Sequence, residues 1–127
     1  MNGNLPSRSA KNTVGMCFFL RYDDPKLTDI LNAVTGWGLD AAGLAEIGER
    51  SLTMARLFNN REGFGSKDDV LPEQAMKPHV SGVLSRVRLD ADDIAVQVRA
   101  YYRSRGWSDD GSPTPETLAK LGLTQYA

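Results

Sequence analysis

One cysteine and one histidine stand among 127 residues. A lone thiol allows no internal disulfide, which suits a reducing cytoplasm, the expected location. One Cys and one His also cannot fill the four positions of a zinc site. Long apolar runs are missing: none approaches the roughly 20 residues that cross a bilayer, so no membrane role is expected. The opening Met1-Asn2-Gly3-Asn4-Leu5-Pro6 lacks the apolar stretch of a secretory signal. An excess of one charge is absent too. Residues 1–63 carry seven basic and seven acidic groups, residues 64–127 eight and nine, for a net charge of −1. That balance excludes sequence-independent nucleic-acid binding and an acidic tail. What remains is 41% hydrophobic and 24% charged, the composition of one globular domain with a real core.

The pattern along the chain is helical. Residues 1–13 offer little to bury and read as a mobile N-terminal arm. The apolar run 14–20 is compatible with a strand or with the first turn of a buried helix. Asp24-Pro25 places a cap before a proline, and Leu27, Ile30, Leu31 and Val34 recur at helical spacing until Gly36. A longer helix starts at Asp40 and runs to about Asn60, with Leu39 and Leu44 as a hydrophobic staple. Its apolar face is read as Leu44, Ile47, Met54, Ala55 and Phe58, with Glu46, Glu49, Arg56 and Arg61 toward solvent. A polar loop at 61–71 carries five charges and Phe64, which is unusual for a connector. A short helix at 72–76 and a loose stretch at 78–88 follow. Asp90 caps a helix that turns Ile94, Val98, Tyr101 and Tyr102 inward and stops at Gly106. Thr114-Pro115-Glu116 opens a last one, ended by Gly122. The fold class is all-α, an irregular bundle of about four to six helices.

Taken singly, the chemistry-bearing residues read quietly. Cys17, among Val14, Met16, Phe18 and Phe19, reads as a small buried hydrophobe, although one cysteine can also be the single remote ligand of an iron–sulfur cluster. His79 reads as a surface residue. Asp68 and Asp69, adjacent in a loop, point apart and serve turns. Asp92 and Asp93 suit a helix start, and Asp109-Asp110-Gly111 is a turn. Arg99 and Arg103 form a solvated face beside packed Tyr101 and Tyr102. Trp37 and Trp107, each after a glycine, are expected to fold back over helix ends.

The order of these pieces resembles one family. Ile30-Leu31-Asn32-Ala33-Val34-Thr35-Gly36-Trp37, Ile47-Gly48-Glu49-Arg50 and Arg56-Leu57-Phe58-Asn59 are similar to the C-terminal part of aldehyde ferredoxin oxidoreductases. The likeness is densest at Arg61-Glu62-Gly63-Phe64, Lys67-Asp68-Asp69 and Leu71-Pro72-Glu73. It closes with Tyr101-Tyr102, Arg105-Gly106-Trp107, Thr114 and residues 118–123, and so spans about residues 11–123. It makes residues 14–127 the helical C-terminal domain of that family.

The resemblance implies a tungsten (or molybdenum) bis-pterin oxidoreductase with a [4Fe–4S] cluster that oxidises small aldehydes to carboxylic acids and passes electrons to ferredoxin. Some relatives reduce aromatic acyl thioesters instead. Asn12-Thr13-Val14-Gly15-Met16-Cys17 matches the family pattern that ends in the fourth cluster cysteine. Cys17 is thereby implied as a metal ligand, and Asn12 and Met16 as cofactor-binding residues, Met16 through its backbone. Asn12 departs from the family aspartate: it keeps an acceptor oxygen, adds a donor and loses the charge. The pterin-cradling domain and the other three cysteines are not among these 127 residues. The chain is therefore expected to be inactive and to hold no cofactor alone, with the remaining N-terminal domains or a subunit as partner and a homo-oligomer as a further possibility. A non-catalytic helical interaction module is the alternative.

Overall fold

Among the described residues of the computed structural model (5–17, 19, 20, 22–78 and 80–127), regular structure is helical throughout, and only an isolated bridge between Trp107 and Pro113 breaks the pattern. The elements are α1 (Leu5–Thr13), α2 (Asp24–Thr35), α3 (Ala41–Arg61), α4 (Glu73–Met76), α5 (Ala91–Ser104) and α6 (Pro115–Lys120), with short 3-10 turns at Val83–Arg86 and Thr124–Tyr126. Two compact units share the chain: Met1–Leu57 with Leu118–Ala127, and Phe58–Thr117.

The first unit corrects the reading of an arm for residues 5–13, while residues 1–4 lie outside the described residues. Residues 5–13 form α1, with Ala10 wholly buried and Ser7 nearly so. Nine residues are too few for a stable isolated helix, so packing holds α1 in place. Its inward face is made of small side chains, which a hydropathy pattern does not flag. Ala10, Leu27 and Leu44, one from each of α1, α2 and α3, meet in a core flanked by half-buried Val14, Met16, Leu31 and Ile47.

Helix α2 is capped one residue earlier than the sequence suggested. Asp23, not Asp24, accepts the Lys26 N–H at 3.0 Å, while Gly36 closes the helix at φ +70°. Asn32 then ties α2 to the start of α3: its side-chain amide accepts from Leu39 N at 2.6 Å and donates to Leu39 O at 2.8 Å. Asp40 caps α3 as expected, accepting the Gly43 N–H. The apolar face assigned to α3 is corrected. Its buried stripe is Leu44, Gly48, Thr53 and Arg56, and Met54, Ala55 and Phe58 are exposed. Val34 and Trp37 are also exposed, so Trp37 does not cover a helix end. Leu118, Leu121 and Leu123 form a second buried cluster with Leu57 against it.

The second unit is organised by α5. Asp90 accepts N–H groups from Asp92 and Asp93, and Leu89 before it stays exposed while Ile94 is half-buried. Trp107 does fold back: it is buried, edge-on to Tyr101 at 5.9 Å and beside Tyr102 at 6.1 Å. Gly106 has φ +68°, and its carbonyl accepts from Thr114 N and Thr117 Oγ1, binding the end of α5 to the start of α6.

Candidate functional site

The motif that carries the cysteine lies at the end of α1. Gly15 adopts φ +75°, donates to Asn12 O at 3.1 Å, and lets Met16 donate to Lys11 O at 2.9 Å. This paired arrangement is the Schellman helix stop, which requires a left-handed residue and so selects glycine. Met16, the next residue, turns its side chain onto the Ala10–Leu27–Leu44 core. Cys17 follows and is exposed, which overturns the reading of it as a small buried hydrophobe. Its carbonyl accepts the Leu20 N–H at 3.1 Å, and Phe19 and Leu20 are exposed beside it.

The three residues singled out at this motif thus differ in accessibility. Asn12 is exposed in the last turn of α1, Met16 is half-buried, and Cys17 presents its thiol to the outside. Next along α1, Thr13 lines a cavity of about 540 Å³ with Leu39, Ile47, Arg50 and Met54. No group of three or more His, Cys, Asp or Glu side chains is assembled for a metal among the described residues. His79 lies outside the described residues.

Lys11 was not legible as part of this site. It is a last-turn lysine of a kind that usually stays in solvent, yet its side chain is only 16% exposed. Its ammonium donates to Tyr22 O at 2.6 Å and lies 4.0 Å from Asp24 Oδ1. Asp24 also accepts from the Ser7 hydroxyl.

The polar loop at 61–72 is built by its own carboxylates, and Asp68 and Asp69 do point apart. Asp68 Oδ2 accepts the Gly65 N–H at 2.8 Å, and Asp69 accepts from the Tyr102 hydroxyl of α5. The latter bond ties the loop to α5 above a cavity of about 350 Å³ lined by Lys67, Asp69, Leu71, Ile94, Arg99 and Tyr102. Phe64 is exposed.

Two acidic groups nearby titrate low. Arg103 Nε and Nη2 each donate to Asp109 at 2.9 Å, and these hydrogen bonds hold the Asp109 carboxyl below its ordinary range and raise the guanidinium. Asp110 is lowered first by the Ser108 hydroxyl and then by the Ser112 N–H. Asp109-Asp110-Gly111 is therefore a turn, as expected, but Asp109 also forms a forked pair.

Residues 7–123 match the family described as aldehyde ferredoxin oxidoreductase, domains 2 & 3. Tungsten-containing aldehyde ferredoxin oxidoreductases of Pyrococcus furiosus and Pyrococcus horikoshii are 32% and 33% identical over 123 residues, covering 91% of this chain and 19% of each relative. An aliphatic sulfonate oxidoreductase, WOR-like subunit, of Pyrococcus furiosus is 29% identical over 104 residues, covering 77% of this chain and 17% of that protein. The chain thus spans about a fifth of the length of these relatives. A solved active-site complex BamBC of benzoyl coenzyme A reductase with 1,5 dienoyl-CoA shares the fold at TM-score 0.75 and 23% identity, over 95% of this chain and 19% of that one.

Proposed function

The chain belongs to the aldehyde ferredoxin oxidoreductase family, and from that premise we propose that it supplies Cys17 as one thiolate ligand of a [4Fe–4S] cluster in a larger oxidoreductase. In that whole protein a tungsten (or molybdenum) bis-pterin would stand beside the cluster. The reaction is the oxidation of small aldehydes to carboxylic acids with ferredoxin as acceptor. One observation carries the assignment: Cys17 is an exposed thiol placed directly after a glycine-dependent helix stop.

The residues present fit one corner of such a group. A cubane cluster takes four thiolates, and this chain has one cysteine, so the other donors must come from the rest of the assembly. A bound cluster supplies one-electron transfer. This chain's own part is to hold one sulfur at the end of α1. Met16, with its side chain committed to the core, leaves only backbone for a cofactor contact, as the family likeness implies. Asn12, exposed at the end of α1, can accept and donate hydrogen bonds to a pterin without the charge an aspartate would bring.

Cys17→Ser in the assembled protein tests this reading. Iron content is expected to fall to a small fraction of the unsubstituted level with helical content unchanged. Unchanged iron would overturn it. The second reading, a helical partner module without chemistry, draws on Asn12 standing where the family has aspartate, and it expects that unchanged iron.

A further inference from the structure

The segment between α1 and α2 is closed at both ends by one residue. At its start, the Lys11 carbonyl accepts the Met16 N–H at 2.9 Å. At its far end, the Lys11 ammonium donates to the Tyr22 carbonyl at 2.6 Å. Cys17 lies between the two anchors, one residue from the first.

The sequence spacing explains how a helix end can do this. Ser7 and Lys11 are four apart on α1 and share a face, and both reach Asp24 at the start of α2. The lysine stem is covered along this face, so its charged head is drawn to an acceptor instead of water. A bond from a charged donor to a carbonyl is stronger than a neutral one and stronger again where water is partly excluded. Anchoring Met16 and Tyr22 in this way lowers the freedom left to Cys17, which follows the first anchor directly.

We infer that Lys11 is the positioning residue for Cys17. Its carbonyl and its ammonium together hold the cysteine-bearing loop in the geometry in which the thiol is offered to the cluster. The clamp concerns this chain alone, whereas its consequence for a cluster rests on the ligand reading above.

Amide hydrogen exchange of the 127-residue chain tests the clamp directly. In Lys11→Met, which removes the ammonium but keeps the backbone carbonyl that accepts from Met16, exchange at Leu20 is expected to rise about tenfold or more, while Met16 and the core residues Leu27 and Leu44 hold their rates. Lys11→Arg, which keeps a charged donor, should restore most of the protection. Unchanged exchange at Leu20 in the methionine variant overturns the clamp. Should that variant fail to fold, the unsubstituted chain still decides. The Lys11 ammonium protons should exchange with water several-fold more slowly than those of exposed lysines such as Lys67, and equal rates overturn the clamp.

In the assembled protein, Lys11→Met should also change the spectrum of the reduced cluster, with Lys11→Arg reverting it. An unaltered spectrum beside altered exchange overturns the positioning role. If the exchange result stands while Cys17→Ser leaves iron unchanged, the ligand reading fails and the clamp does not.

Discussion

Gly48 of α3 lies against the backbone of Pro6 in α1: a Cβ on Gly48 would sit 1.8 Å from the Pro6 carbonyl oxygen. Two helices approach this closely only where one of them has no side chain. The obstacle is backbone rather than the end of a flexible side chain, so it cannot swing away.

Gly48→Ala therefore sets two effects against each other. Alanine favours a helix interior by about 1 kcal/mol over glycine, but overpacking at a backbone contact costs about 1–3 kcal/mol and can reach more. The steric term is expected to win, with net destabilisation and displacement of α1. A urea midpoint measured for the variant and the unsubstituted chain checks this, and an unchanged or raised midpoint would count against the close approach.

Tyr102 is buried while its hydroxyl reaches Asp69. Tyr102→Phe keeps the ring packing against Trp107 and removes the donor. A loss of about 0.5–1.5 kcal/mol is expected, together with faster amide exchange at Asp68 and Asp69, whose N–H groups close the loop onto Gly65 and Ser66. If exchange in that loop is unaltered, the hydroxyl bond does not hold it.

Asp109 bears on pH. Its carboxyl is held low first by hydrogen bonds from Arg103. A depressed folded-state value means the pair stabilises the fold above the ordinary carboxylate range and loses that contribution as pH falls through the depressed value. The Asp109 titration followed by NMR should have its midpoint below that range, and Arg103→Gln should move it up. Both side chains are more than half exposed, so added salt should weaken the difference. A midpoint insensitive to Arg103→Gln would refute the pairing.

Phe19 is 87% exposed and Leu20 46% exposed, immediately after Cys17. An apolar pair beside the thiol is expected to drive self-association of the chain on its own. Light scattering should show mass rising with concentration, and Phe19→Ser with Leu20→Ser should suppress it. A monomer at high concentration without any substitution would show that this surface is inert.

The helical class, the caps at Asp40 and Asp90, the glycine stops at Gly36, Gly106 and Gly122 and the family likeness were all legible in the chain. Each depends on a short-range pattern: a side-chain acceptor facing an N–H two or three residues on, a left-handed turn that favours glycine, or an ordered set of motifs. The residues alone read Cys17 as a small buried hydrophobe, and only the likeness assigned it a ligand role.

What the tertiary structure decided were the faces and the long-range partners. Helix α1 offers few large apolar side chains, yet Ala10 is wholly buried, because Leu27 and Leu44 of the neighbouring helices close over it, while Gly48 lets the backbone at Pro6 come near. On α3 the buried stripe runs through Gly48, Thr53 and Arg56 rather than Met54 and Phe58, since burial follows what lies opposite and not hydropathy alone. Lys11 reads as a solvated helix end, and only the return of the chain at Tyr22 gives its ammonium an acceptor. Local patterns are set by neighbours in sequence. A clamp across eleven residues exists only once folding has brought its two ends together.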